Sequence, residues 1–173
     1  MTYNIDFLIA AMVILLLVLW YFLGQKRAED LNNQVFLFFA IIGILDVVAE
    51  LASNYYISFP NSNCEIAAML ATTIFYLLQA LLPFTVICYI QTLHDNKIIS
   101  AKKMFLSGVP TFILMGMILT NPFTEKLFYF DLTEGYVEGS WYKLMYYSAL
   151  GHMAAAFILI ILWSRRMGYR KTM

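Results

Sequence analysis

Charged residues are scarce in this sequence: only 13% of its 173 residues are Asp, Glu, Lys or Arg, and 62% are hydrophobic. A soluble domain carries about 25% charged and about 45–50% apolar residues. Both departures argue against a water-soluble globular domain. No sign of charge dominates either, since 11 Lys plus Arg balance 11 Asp plus Glu. Without a bulk positive field to gather phosphates, a nucleic-acid partner is disfavoured. Two cysteines cannot build a disulfide scaffold. Cys64 and Cys88 lie at opposite ends of one apolar stretch, about 36 Å apart if helical, so they cannot pair with each other. The sequence has no glycine-rich phosphate loop, zinc motif or nucleophile elbow. His94-Asp95 has no second metal ligand spaced nearby. The expectation is therefore a chain with no metal, no cofactor and no catalytic residues, of a length that suits one domain.

What is present is a series of long apolar runs. A membrane-spanning helix needs roughly 20 mostly apolar residues, because about 30 Å of hydrocarbon is crossed at about 1.5 Å per residue. Five stretches qualify: 5–24, 34–52, 66–91, 103–120 and 142–163. The third is long enough to tilt, or to bend at Pro83. The fold class expected is an all-α bundle of five transmembrane helices forming a single domain. The first run is expected to be a retained span and not a cleaved signal peptide, since MTYNID carries an acid and no base, and Lys26 and Arg27 follow the run.

Orientation follows from the bases in the short connections. With the amino terminus outside, the inner segments hold Lys26, Arg27, Lys97, Lys102, Lys103, Arg165, Arg166, Arg170 and Lys171. The outer segments hold only Lys126 and Lys143, and collect the acids Asp6, Glu65, Glu125, Asp131, Glu134 and Glu138. This bias predicts the amino terminus outside and the carboxy terminus inside. Trp20 and Trp163 near inner ends and Trp141 at an outer end suit the interfacial preference of amphipathic rings.

Between the fourth and fifth spans lies an aromatic connection, Asn121 to Trp141: NPFTEKLFYFDLTEGYVEGSW. Leu127 to Leu132 is rich in strand formers, Thr133-Glu134-Gly135 can turn, and the chain can return from Tyr136. An extracytoplasmic aromatic loop or short β-hairpin is expected. Its rings, notably Phe130, Tyr136 and Trp141, cover a ligand or lie in the headgroup layer and on the helix ends.

Polar residues inside the spans carry the functional signal. A carboxylate near the bilayer centre costs at least ~2.5 kcal/mol, so it faces the bundle and has a partner or a task. Asp46 and Glu50 are four apart and share a helical face, with Asp46 expected near the midplane and Glu50 nearer the outer interface. The third span has a stripe of Thr72, Tyr76, Gln79 and Pro83, and the fifth has Ser148 and His152. Matching depths suggests two pairs, Asp46 with His152 and Glu50 with Lys143. The competing reading is that these groups hydrogen-bond one another and only lock the bundle.

Several strings carry a family resemblance: YNIDF before the first run, QKR after it, LNNQVFLFF, FYLLQALLP, and LTNPFTEKLFYFD followed by EGYVEGSWY. Together these resemble the amino-terminal membrane sensor region of bacterial GGDEF diguanylate cyclases. More loosely, they are similar to the seven-helix sensor region of histidine kinases. The resemblance implies a sensory domain in the bacterial inner (plasma) membrane that passes a signal inward to a cytoplasmic output domain of the same parent chain. It also implies a homodimer. The sequence departs from that pattern in having five spans, and neither a GGDEF string nor a kinase histidine box occurs. The partners expected are the lipid bilayer and a small ligand of unknown identity. Its contacts would be Asp46, Glu50, Tyr76, Gln79 and His152, with Phe130, Tyr136 and Trp141 from the outer loop. The alternative is a small transporter or channel subunit that uses the same buried Asp, Glu and His.

Overall fold

In hydrocarbon every backbone N–H and C=O must be satisfied within the chain, and a helix does this locally. The five apolar runs accordingly form five α-helices in a computed structural model that describes residues 5–24, 31–58, 65–95, 101–131 and 135–170. They are α1 (Ile5–Gly24), α2 (Leu31–Ser58), α3 (Glu65–Asp95), α4 (Ala101–Thr124) and α5 (Lys143–Arg170). Each contains a stretch long and apolar enough to cross a membrane, the character of a multi-pass membrane protein.

Most helices run past the spans expected from hydropathy. Apolar side chains mark where lipid begins, whereas the helical hydrogen-bond ladder continues into polar residues. One such difference bears on the site: α4 continues where a loop was expected from Asn121. Instead the Glu125 N–H donates to the Asn121 carbonyl at 2.8 Å, closing one more turn. Glu125 then takes a left-handed conformation, φ 54°, which ends the helix. Helix α3 continues through Pro83.

Contacts among the helices are uneven. Helix α3 is the centre, packing on α2, α4 and α5, while α1 packs on α2. Both helices bury small residues, Ala40 and Ala49 on α2 and Ala68 and Ala80 on α3, the residue type that permits close helix approach. The two run antiparallel, with Phe36 beside Tyr89 near one end and Ser53 bonded to Thr72 near the other. Helix α1 has no buried residue; Phe22 meets Phe36 of α2, and Leu15 lies over Gly43.

Between α4 and α5 two strands, β1 (Phe128–Asp131) and β2 (Gly135–Glu138), pair antiparallel with Phe128 opposite Glu138 and Phe130 opposite Tyr136. Side chains alternate across a strand. Phe128, Phe130, Tyr136 and Glu138 therefore share one face, and this face turns to the helices. Phe128 and Leu127 are fully buried in a cluster with Tyr76 and Ala80 of α3, Leu114 and Ile118 of α4 and Met145 of α5. Burying a Phe side chain contributes about 2–3 kcal/mol. The hairpin is thus a plug in one end of the bundle, with its aromatic face inward.

Candidate functional site

Asn121 anchors the plug and is fully buried. Its side-chain amide donates to the Phe128 carbonyl at 2.8 Å, and its side-chain oxygen accepts from the Leu127 N–H at 2.8 Å. The base is closed by two further bonds, Gly139 N–H to the Leu127 carbonyl and Trp141 N–H to the Lys126 carbonyl, both 2.8 Å. The chains approach so closely that a Cβ on Gly139 would lie 2.2 Å from the Lys126 carbonyl oxygen. Only glycine fits there.

Held in this way, strand β2 roofs a cavity of about 340 Å³. Its walls come from α2 (Glu50, Ser53, Asn54, Ile57), α3 (Phe75, Tyr76, Gln79), the turn before α5 (Tyr142) and the start of α5 (Met145, Tyr146), with Tyr136 and Glu138 above. Spacing explains the α2 wall: Glu50, Ser53 and Ile57 follow each other at steps of three and four, on one face. The Ser53 hydroxyl lies 2.8 Å from that of Thr72, fixing α2 against α3 at the cavity.

Phenols dominate the interior. The hydroxyls of Tyr76 and Tyr136 are 2.5 Å apart, and those of Tyr142 and Tyr146 are 3.2 Å apart. The Tyr142 ring stands edge-on to Tyr76 at 6.3 Å and to Tyr146 at 5.5 Å. Burial, followed by the hydrogen bond with Tyr146, holds the Tyr142 phenol above its usual range. Tyr142 is therefore neutral, an uncharged donor and acceptor.

Four of the residues singled out from sequence, Glu50, Tyr76, Gln79 and Tyr136, meet on this cavity. The other four stand elsewhere. Phe130 packs against Tyr136 from behind, edge to face at 5.8 Å. Trp141 lies beneath the Lys126 ammonium, 4.3 Å from the ring centroid, as part of the hairpin base. Asp46 is one turn along α2 from Glu50, and its Oδ1 is buried without a hydrogen-bond partner.

His152 corrects the depth-matched pairing. Its Nδ1 donates to the Ser148 carbonyl at 2.7 Å, and the Thr111 hydroxyl of α4 lies 2.9 Å from Nε2. A carbonyl only accepts, so Nδ1 carries a proton, and Nε2 is paired with the Thr111 hydroxyl. Both nitrogens are engaged, and the Asp46–His152 pair does not form. Glu50 and Lys143 also make no ion pair among the described residues. Equal depth does not fix rotation about the helix axis, and rotation decides contact.

Sequence reasoning passed over Asn121, Gly139, Glu138, Tyr142 and Tyr146. The last two carried a signal, being four apart on one face at the start of the fifth span. Asn121 and Gly139 gave none, because their role depends on backbone brought back from later in the chain. Among the described residues, no three potential His, Cys, Asp or Glu metal ligands gather. Comparison with protein-family models, with curated proteins and with solved structures finds no match.

Proposed function

We propose that this chain is a membrane-embedded sensory domain. It binds a small ligand in the cavity beneath the hairpin and conveys binding as a helix shift to a cytoplasmic output domain of the same parent chain. The observation that carries this reading is the cavity itself. It is built where three helices and the hairpin converge, with Tyr76 of α3 bonded to Tyr136 of the roof. An occupant there touches α2, α3 and α5 together, so it can favour one arrangement of those helices over another. The excess of bases in the inner connections supports a topology with the amino terminus and hairpin outside and α5 ending in the cytoplasm. The resemblance to GGDEF-linked sensor regions adds a diguanylate cyclase, or more loosely a kinase, as the output in a bacterial inner membrane. By the same resemblance the chain works as a homodimer.

The test is cysteine cross-linking between the ends of α3 and α5 remote from the hairpin. Tyr136→Ala, which opens the roof, should change the cross-linking rate there through a shift of about 1–2 Å. An unchanged rate, with the hairpin perturbed and the bundle folded, would remove the sensory reading.

A transporter or channel subunit is the second reading, favoured by the unpartnered Asp46 oxygen one turn from the cavity-lining Glu50. Reconstituted vesicles separate the two. Proton or cation flux that Asp46→Asn abolishes supports transport, and its absence supports sensing.

A further inference from the structure

The chemistry of the cavity walls selects a class of ligand, an inference that rests on the binding reading above. Twelve residues line the cavity; five are aromatic (Phe75, Tyr76, Tyr136, Tyr142, Tyr146), two are carboxylates (Glu50, Glu138), and none is Lys, Arg or His. Among the described residues neither carboxylate has an ion-pair partner. From the geometry we infer that the cavity is a site for an organic cation, an alkylated or quaternary ammonium group on a small body.

Three physical features converge on that class. Aromatic faces are negative, and a cation within about 6 Å of a ring centroid is attracted to them, most strongly when both are out of water. The rings here stand at steep angles to one another, 71° between Tyr76 and Tyr142 and 82° between Tyr142 and Tyr146, so faces and edges enclose the space from several sides. Their hydroxyls are already paired with each other, which leaves the rings as the principal surface offered to a guest.

Charge points the same way. Glu50 stands in a membrane-spanning helix, where a carboxylate is normally matched by a counter-charge. A cationic guest supplies it, with Glu138 from the roof as a second acid. An anion would meet two like charges and no donor base. A bare metal ion is disfavoured because a space of about 340 Å³, with five rings in its walls, offers two carboxylates and, among the described residues, no cluster of three ligands. An alkylated ammonium has the size, the apolar envelope and the sign that these walls complement.

The experiment uses the full chain in lipid nanodiscs and calorimetric titration with three probes. They are choline, its uncharged isostere with carbon in place of nitrogen, and acetate. Choline should bind at least about tenfold tighter than the isostere, and acetate should not bind. The double variant Glu50→Gln and Glu138→Gln should erase that preference, and Tyr146→Ala, at an exposed helix position, should weaken choline about tenfold. Thermal unfolding of each variant checks that the bundle is intact. Equal binding of choline and isostere, no choline binding, or a preference that survives the double variant would each overturn the inference. The cross-linking readout keeps this apart from the sensory reading. Isostere or acetate binding that shifts the remote helix ends leaves the sensor and removes the cation. Choline selectivity without any shift leaves the cation site and removes the sensor.

Discussion

The Tyr76 hydroxyl of α3 meets the Tyr136 hydroxyl of β2 at 2.5 Å, across 60 residues of sequence. This bond ties the roof of the cavity to the helix at the centre of the bundle. Its worth is open to measurement. Tyr76→Phe and Tyr136→Phe should each lower stability by about 0.5–1.5 kcal/mol. The double variant should lose little more than either alone. Thermal unfolding in detergent closes the cycle, and strictly additive losses would mean the two hydroxyls are not coupled.

Asn121 should be the most sensitive polar position at the hairpin. Asn121→Ala leaves the Leu127 N–H and the Phe128 carbonyl unsatisfied in a buried site, at about 1–3 kcal/mol for each group. Hydrogen exchange at Leu127 and Phe128 should accelerate while the helix amides of α2 stay protected.

Gly139→Ala tests the close approach at the hairpin base. The added methyl cannot coexist with the Lys126 carbonyl oxygen at 2.2 Å, so the two chains must part. The bonds from Gly139 to Leu127 and from Trp141 to Lys126 should weaken together. Trp141 fluorescence, with Lys126 no longer held above the ring, should report the opening.

His152 and Thr111 should show a coupling energy of about 0.6 kcal/mol in a double-mutant cycle, the typical size for a hydrogen bond between membrane helices. Asp46 and His152 should show none. A clear Asp46–His152 coupling would contradict the geometry. Asp46→Asn should insert and fold normally, because the carboxylate oxygen that it replaces has no partner to lose.

Alkaline pH should destabilise the bundle through Tyr142. Burial raises its phenol above the usual range, so the folded chain keeps a proton that the unfolded chain releases above about pH 10. This contribution is complete below that pH and is lost as pH rises through the folded value. Tyr142→Phe should flatten the alkaline limb of a stability–pH curve by up to one proton, and an unaltered slope would show that Tyr142 does not titrate with unfolding.

How much of this was legible beforehand varies by residue. Glu50, Tyr76, Gln79 and Tyr136 were visible as chemistry out of place, polar groups in apolar runs or rings in a polar connection, and they do line one cavity. His152 was visible for the same reason, yet its neighbour proved to be Thr111 of α4 and not Asp46. Phe130 and Trp141 stood out as aromatics in the same connection, but one packs behind Tyr136 and the other at the hairpin base. Asn121 looked like the first residue of a loop, and became a buried clamp only once Leu127 and Phe128 folded back over it.

The division has a physical basis. Five helices follow from sequence because lipid leaves the backbone one local solution, and a run of apolar side chains is enough to impose it. The face shared by Asp46 and Glu50 follows too, since helical periodicity is local. Which helices touch, how each is rotated and where the hairpin closes depend on pairs of surfaces distant in the chain. Tertiary packing alone decided that α3 is the hub, that the hairpin's aromatic face turns inward, and that four tyrosines and two acids enclose one space.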